Sequence, residues 1–211
     1  MLTRSVILWI CLFVGIPITG QRTYDPTRYK YYISPTFAIG SSNIIDSTTD
    51  FVNFRNRSYL VNRTTSTGLY FSYLFKDRFS YYHRTLYGIK TGVIYSVVNQ
   101  KIEFDPTPGK NTSDIFTVKY TYQLVEIPFL FTKASTQNTV MSYDIGPVYI
   151  YNLTNSNSTV GFTAKVGLYG TFSKRLGYYG LIGSTVNRIR PEGKTRVSFI
   201  FEFSVTYRLI K

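Results

Sequence analysis

The sequence is poor in the residues that most enzyme and metal sites require. Its 211 residues include one cysteine, Cys11, and one histidine, His83. One cysteine cannot form an intramolecular disulfide or a cysteine-ligated zinc site, and one histidine cannot supply a paired-histidine metal site. The chain also lacks a glycine-rich phosphate loop and a G-x-S-x-G motif. These absences predict a protein that is not an enzyme and that holds no metal or cofactor.

Long apolar runs are also scarce, and the longest lies at the N-terminus. Residues 6–18 are uncharged and largely apolar, follow the basic Arg4, and lead to the small residue Gly20. A transmembrane helix needs about 17–25 apolar residues, whereas this run is shorter and contains a glycine and a proline. The pattern is typical of a secretory signal peptide, with a retained membrane anchor as the alternative. We therefore expect a signal peptide at residues 1–20 and a single domain at 21–211.

Alternation of apolar and polar residues is the strongest positive signal in the sequence. In its last segment, apolar side chains occupy every second position: Val197, Phe199, Phe201, Phe203, Val205, Tyr207 and Leu209. This period of two is typical of a strand with two different faces. Similar alternation predicts eight strands, at residues 31–42, 66–75, 79–97, 115–131, 140–151, 160–172, 177–189 and 196–210. The fourth changes phase near residues 125–128, which predicts a bulge, and the phase of the seventh is ambiguous.

The two faces of these strands distinguish a membrane barrel from a soluble sheet. Eight rows of phenylalanine and tyrosine exceed what the interior of an eight-stranded barrel can hold. If the polar rows lined a soluble core instead, their charges would be buried in a dry interior at high cost. A membrane barrel with its aromatic residues toward lipid removes both problems. The sequence therefore predicts an all-β fold, an eight-stranded antiparallel transmembrane up-and-down β-barrel in the bacterial outer membrane.

Several charged residues lie on the polar face of the predicted strands, and this position predicts a charge network that fills the lumen. The expected members are Arg84, Lys90, Asp144, Lys165 and Glu202. They would pair inside the barrel, because an unpaired charge in a narrow interior is costly. His83 shares the phase of the outward tyrosines in the third predicted strand, so it is expected to face lipid. Catalysis by His83 is the alternative interpretation.

The two longest predicted loops, residues 43–65 and 98–114, combine basic and aromatic side chains. The expected contact residues are Arg55, Arg57, Tyr59, Arg63, Lys101, Phe104 and Lys110. Such a mixture suits contact with a protein or an anionic glycolipid, although solvated loops without a partner remain the alternative. Long loops on one rim and tight turns on the other are typical of outer-membrane barrels, whose long loops are extracellular.

An excess of positive charge narrows the class of partner. The chain has 24 basic and 11 acidic residues, a formal net charge of +13. The basic residues stand singly or in pairs, and an exported chain does not meet cytoplasmic nucleic acid, so we expect no nucleic-acid partner. Outer-membrane lipid and lipopolysaccharide are the expected partners, because their phosphates would balance the excess of positive charge. Other envelope proteins are further candidate partners, and the barrel is expected to be monomeric.

Several segments resemble a family of outer-membrane β-barrels common in Bacteroidetes, which includes the PorT-like proteins. They are TGLYFSYLFKDRFSYY, YQLVEIPFLF, YDIGPVYIYNL, AKVGLYGTFSKRLGYYG and FEFSVTYRLIK, in this order, within residues 67–211. The stretch YQLVEIP at 122–128 resembles the family's most recognisable motif. The resemblance implies an outer-membrane location and eight antiparallel strands, and it implies no enzymatic activity.

These observations favour a structural or interaction protein of the cell envelope. It would be a small barrel with a plugged lumen that acts through its extracellular loops. An accessory role in a protein secretion system, as for PorT, is the first alternative. A lipid-modifying barrel enzyme or a small-solute transporter is the second.

Overall fold

The computed structural model describes residues 31–45, 59–75, 85–104, 116–135, 141–171, 175–189 and 194–209. They form eight strands: β1 (Tyr31–Ile45), β2 (Tyr59–Phe75), β3 (Thr85–Phe104), β4 (Phe116–Ser135), β5 (Met141–Asn152), β6 (Asn157–Thr171), β7 (Leu176–Ile189) and β8 (Lys194–Arg208). Each strand is antiparallel to the next, and β8 pairs with β1 to close the barrel. The predicted fold class is therefore confirmed.

None of the described residues forms a helix that is long and apolar enough to cross a membrane.

Side chains alternate between the lumen and the outer surface, as the period of two requires. In β5 every second residue from Ser142 to Asn152 is buried, while the residues between them are exposed or half-buried. The outer surface carries a belt of exposed apolar side chains, including Phe37, Phe71, Ile89, Val93, Phe129, Ile145, Val160, Phe162, Leu168, Ile182 and Phe199. Charged side chains such as Lys90, Asp144 and Glu202 are buried inside. This inside-out polarity is that of a transmembrane barrel.

Two strands extend further toward one rim than the sequence predicts. β2 begins at Tyr59 and β3 continues to Phe104, so parts of the predicted loops 43–65 and 98–114 are strand. Pairing continues there, for example between Arg63 and Asn99. The backbone ladder continues beyond the apolar belt, where polar residues such as Arg63 and Asn99 take the outward positions. The loop bounds given by the sequence were therefore wrong.

The described part of β3 begins at Thr85. The predicted start of this strand at residue 79 and the predicted tight turn at residues 76–78 lie outside the described residues. Residues 76–84, with His83 and Arg84, lie outside the described part of the chain, as does the predicted signal peptide.

The predicted bulge in β4 is absent, and a register shift occurs elsewhere. On both sides of Pro128, β4 keeps one register with β3: Thr91 pairs with Phe129, and Ile94 pairs with Glu126. The same number of residues separates these pairs on each strand, so no residue is inserted. The register shifts instead between β2 and β3, near Leu60. The apparent change of phase in β4 arises because both of its faces carry apolar residues there.

The connections between strands define the two rims. The longest gaps between strands, residues 46–58 and 105–115, lie at the rim where β1 ends and β2 begins, together with the short turn after β5. The opposite rim has residues 76–84, 136–140 and 172–175. Because outer-membrane barrels carry their longer loops outside, we term the first rim extracellular and the second periplasmic.

The short extracellular turn between β5 and β6 explains one Asn-x-Thr triplet. Asn152 is buried, and its Oδ1 accepts a hydrogen bond from the backbone N–H of Thr154 at 2.9 Å. The Thr154 hydroxyl oxygen then accepts a hydrogen bond from the Gln123 N–H of β4 at 3.0 Å. Ser156 completes the turn with a positive φ of 56°. The triplet therefore forms a turn that is fastened to the neighbouring strand.

Candidate functional site

Four of the predicted lumen charges meet at the middle of the barrel; we call Lys90, Asp144, Lys165 and Glu202 the central cluster. Lys90 Nζ lies 2.7 Å from Asp144 Oδ2 and 3.7 Å from Glu202 Oε1. Lys165 Nζ lies 2.5 Å from Glu202 Oε2. All four side chains are buried, and they come from β3, β5, β6 and β8. The cluster thus connects strands on different sides of the lumen.

Tyr70 of β2 adds two hydrogen bonds to the Lys165–Glu202 pair of this cluster. Its hydroxyl donates to Glu202 Oε2 at 3.1 Å and accepts from Lys165 Nζ at 2.9 Å. Lys90 Nζ lies 4.1 Å from the centroid of the same ring, within reach of a cation–π interaction. Two ammonium groups face two carboxylates, so the formal charges cancel. Charges buried away from water require this kind of compensation.

Two glycines create the space that the central cluster occupies. At Gly183 of β7, an added Cβ would lie 2.7 Å from Lys165 Cγ and 2.3 Å from the Ala164 carbonyl oxygen. At Gly92 of β3, it would lie 3.0 Å from the Tyr70 ring and 2.2 Å from the Leu69 carbonyl oxygen. Any larger residue would displace a strand or a cluster side chain. Glycine is therefore required for the close approach rather than for an unusual backbone angle.

A second ion pair lies nearer the extracellular rim. Arg196 of β8 donates from Nε to Asn187 Oδ1 at 2.8 Å and from Nη2 to Glu126 Oε1 at 3.3 Å. The side chain of Arg196 is 6% exposed and that of Glu126 is 17% exposed. The sequence analysis did not include Arg196 in the lumen network. The alternation of β8 could have identified it, because Arg196 occupies the same lumen-facing set of alternate positions as Ser198 and Glu202.

A fourth buried basic residue, Arg208, closes the periplasmic end. It is fully buried, and its Nη2 donates to the hydroxyl of Tyr169. Its guanidinium carbon lies 5.8 Å from the centroid of the Tyr169 ring, and that ring packs against Tyr179 at 4.6 Å. Arg208 is one of the even-numbered residues of β8, which point into the lumen. Basic side chains thus occupy three levels of the lumen.

Apolar side chains fill the extracellular half between these levels, which the sequence analysis did not foresee. We call Val98, Leu124, Val148 and Ile150 the outer apolar cluster; Tyr122 packs against it. A cavity of about 30 Å³ adjoins this cluster and Arg196. Another cavity of about 30 Å³ lies between Glu126 and the central cluster. Spaces of this size hold one or two water molecules, so the lumen is closed to larger solutes at both levels.

Four of the seven predicted loop-contact residues lie in strands rather than in loops. Tyr59 and Arg63 belong to β2, and Lys101 and Phe104 belong to β3. These four positions lie at the extracellular ends of adjacent paired strands. Arg55, Arg57 and Lys110, like Arg84 of the predicted lumen network, fall outside the described residues. Within the described part of the chain, no group of three or more histidine, cysteine, aspartate or glutamate side chains is arranged to hold a metal ion.

Comparisons with known proteins identify the fold. No protein-family model matches the chain, and no curated protein matches its sequence. The structure is similar to that of the outer membrane protein OprG from Pseudomonas aeruginosa, with a TM-score of 0.50 and 13% identity over 87% of this chain and 98% of that one. A weaker likeness, with a TM-score of 0.33 and 10% identity, covers 84% of this chain and 99% of Ail, the attachment invasion locus protein of Yersinia pestis.

The likeness to OprG shows the fold, whereas the likeness to Ail is too low to carry an argument. The physical features of the barrel agree with the fold: an apolar belt faces outward, and paired charges fill the lumen. Such a surface requires a hydrocarbon environment. Fold and outer surface together make this chain an eight-stranded β-barrel of the outer membrane.

Proposed function

We propose that the protein is a structural or interaction component of the cell envelope, a plugged barrel that displays its extracellular end to a partner. The observation that carries this proposal is the closure of the lumen by the central cluster. Lys90 and Lys165 are each within 4 Å of Glu202, and none of these side chains is solvated. A transporter needs a path for its substrate, and a lumen enzyme needs room for one. Neither fits an interior filled in this way.

The extracellular ends of β2, β3 and β4 supply the surface for such a partner. Arg63 and Lys119 are exposed there, and Lys101 occupies the register position opposite Lys119. Like charges at paired positions destabilise a sheet unless water or an anion compensates them. Lipopolysaccharide phosphates or an acidic face of another envelope protein would provide the compensation. The basic excess of the whole chain supports the same kind of partner.

An accessory role in protein secretion is the second candidate. It rests on the resemblance of residues 67–211 to the PorT-like family of Bacteroidetes. In that role the extracellular end would contact components of a secretion complex rather than lipopolysaccharide. Identification of the proteins that co-purify from the native envelope distinguishes the two candidates.

The first experiment tests whether the lumen is closed. Purified protein in planar lipid bilayers should give no stable conductance at physiological salt, because water-sized cavities do not form a continuous ion path. Stable, large-conductance channels from the folded protein would contradict the plugged barrel and favour a transporter.

The second experiment tests whether the extracellular end binds a partner. Residues 46–58 and 105–115 are shortened together, and the variant is compared with the full chain for heat-modifiable migration and for co-purifying molecules. Folding should be retained while the partner is lost. His83→Ala is the control and should retain the partner. Loss of an envelope phenotype in His83→Ala, with every partner retained in the loop variant, would instead favour the enzyme interpretation.

A further inference from the structure

A concave feature much larger than the two lumen cavities lies on the lipid-facing surface of the described structure. It is a groove of about 490 Å³ that crosses the outside of β1 to β4. Its residues lie near the starts of β1 and β3 and the ends of β2 and β4, which places the groove in the periplasmic half of the membrane. The lumen cavities are about 30 Å³ each. The barrel is therefore filled inside but grooved outside.

Strand register explains the shape of this groove. One wall is an outward row of register-paired side chains, Tyr31, Tyr73, Ile89 and Phe131. The other wall is the outward row Phe71, Thr91 and Phe129. Between the rows stand Ser72, Lys90 and Leu130. The side chains of these three residues point inward, so backbone forms the floor between two ridges that are largely aromatic.

A basic residue lies at the periplasmic edge of the groove. Lys133 is the next outward residue of β4 after Phe131, and it is exposed. Its Nζ lies 5.6 Å from the centroid of the Tyr87 ring, and that ring packs 5.7 Å from Phe131. A lysine and a tyrosine at this level are suited to the interface between hydrocarbon and headgroups. The groove thus lies between apolar walls and has a cationic edge on its periplasmic side.

We propose that this groove holds one acyl chain of an anionic phospholipid, with its phosphate beside Lys133. Hydrocarbon tails are as apolar as the groove, so the gain comes from close packing against the aromatic ridges rather than from removal of water. A transmembrane helix packs closely where small residues let two backbones approach, whereas large side chains stand apart on both sides here. The positive charge selects the headgroup.

Native mass spectrometry of the barrel after mild detergent extraction tests whether the groove holds an acyl chain. Ile89→Trp places a large ring in the groove, and Ile182→Trp is the matched control, because both isoleucines are exposed outward, at 54% and 62%. The Ile89→Trp barrel should retain one phospholipid fewer than the wild type, and the control should retain the same number. Equal lipid retention in both variants would overturn the proposal, as would a protein dimer that only Ile89→Trp disrupts.

Headgroup selection is tested by titrating delipidated barrel with phosphatidylglycerol or phosphatidylethanolamine of identical acyl chains. Wild type should prefer phosphatidylglycerol by about fivefold, the effect of about one basic residue at a membrane surface. Lys133→Gln should remove that preference without changing heat-modifiable folding. An unchanged preference in Lys133→Gln would overturn the assignment of the phosphate position. Neither test depends on the lumen being closed or on an extracellular partner.

Discussion

The two halves of the lumen differ in how far charged side chains contribute to their closure. Toward the periplasm and at mid-barrel, buried charges meet at short distances, with Lys165 2.5 Å from Glu202 and Lys90 2.7 Å from Asp144. Two smaller apolar clusters, around Leu74 and Leu130, lie at the same levels. Toward the extracellular rim, Leu124 and its neighbours in the outer apolar cluster fill the space, and one longer ion pair remains between Arg196 and Glu126 at 3.3 Å. Both fillings exclude solute. They differ in how strongly each side chain depends on its partner.

This difference has a physical basis. An apolar side chain loses packing when a neighbour is removed, and the surroundings relax to recover part of the loss. A buried charge that loses its partner recovers little by relaxation, because it remains desolvated and uncompensated. The periplasmic half should therefore be the more sensitive to single substitutions, and the extracellular half the more tolerant.

Glu202→Gln tests this contrast with the largest expected effect. Glu202 binds Lys165, lies within 3.7 Å of Lys90 and accepts a hydrogen bond from Tyr70. Removing its charge leaves two ammonium groups with one carboxylate, which should lower the free energy of unfolding by about 3–5 kcal/mol. Urea unfolding of the barrel in lipid vesicles, followed by circular dichroism, measures the change.

A double variant separates the loss of pairing from the loss of space. Lys165→Met combined with Glu202→Leu removes both charges of the closest pair and keeps most of the volume. It should be more stable than Glu202→Gln, because apolar replacement of a whole buried pair is often neutral or stabilising. A Glu202→Gln cost below about 1 kcal/mol would show that water reaches the central cluster.

Leu124→Ala should have the next largest effect, in the extracellular half. Leu124 is 4% exposed and packs within the outer apolar cluster. Leucine-to-alanine changes in cores cost about 2–5 kcal/mol, and the cavity of about 30 Å³ beside this cluster should allow relaxation toward the lower value. The same urea unfolding measures it. A cost equal to that of Glu202→Gln would contradict the difference between the two halves.

The sequence predicted the barrel and the inward phase of its charges for one reason. A period of two assigns each side chain to a face wherever the two faces meet different environments, and the hydrocarbon belt makes them differ strongly. Lys90, Asp144 and Glu202 stand within such alternation, so their burial inside follows from their phase. Arg196 faces the lumen like Glu202, but it is the first residue of the predicted strand 196–210. No alternation before it indicated which face it would take.

Alternation fails where both faces have similar surroundings. In β2 the polar residues Arg63 and Thr64 lie on opposite faces, Arg63 exposed and Thr64 buried, and the structure still forms a strand there. Near Pro128, apolar side chains occur on both faces, since Leu124 and Leu130 fill the lumen while Phe129 faces lipid. The period of two contains no information about which inward residues pack together. The outer apolar cluster therefore could not be predicted from it.

Glu126→Gln should have a smaller effect than either of the preceding variants. Its partner Arg196 is 3.3 Å away and keeps its 2.8 Å hydrogen bond to Asn187, and the Glu126 side chain is 17% exposed. A partly solvated pair that retains a second contact should contribute about 1–2 kcal/mol. High salt should reduce the difference between variant and wild type. A cost above that of Leu124→Ala would show that this pair is as critical as the central cluster.

The smallest effect on the free energy of unfolding is expected outside the lumen, at Ile182. This variant compares the two faces of one strand rather than the two halves of the interior. Ile182 is 62% exposed to lipid, whereas its neighbour Leu181 is fully buried in the lumen. In a bilayer, Ile182→Ala should cost less than about 1 kcal/mol, because lipid chains occupy the space that the side chain leaves. Leu181→Ala, the matched control, should cost about 2–5 kcal/mol, because no such filler reaches the interior. Urea unfolding in the same vesicles compares the two variants. If Ile182→Ala were the more costly, β7 would have the opposite phase, with Ile182 packed against protein and Leu181 toward lipid.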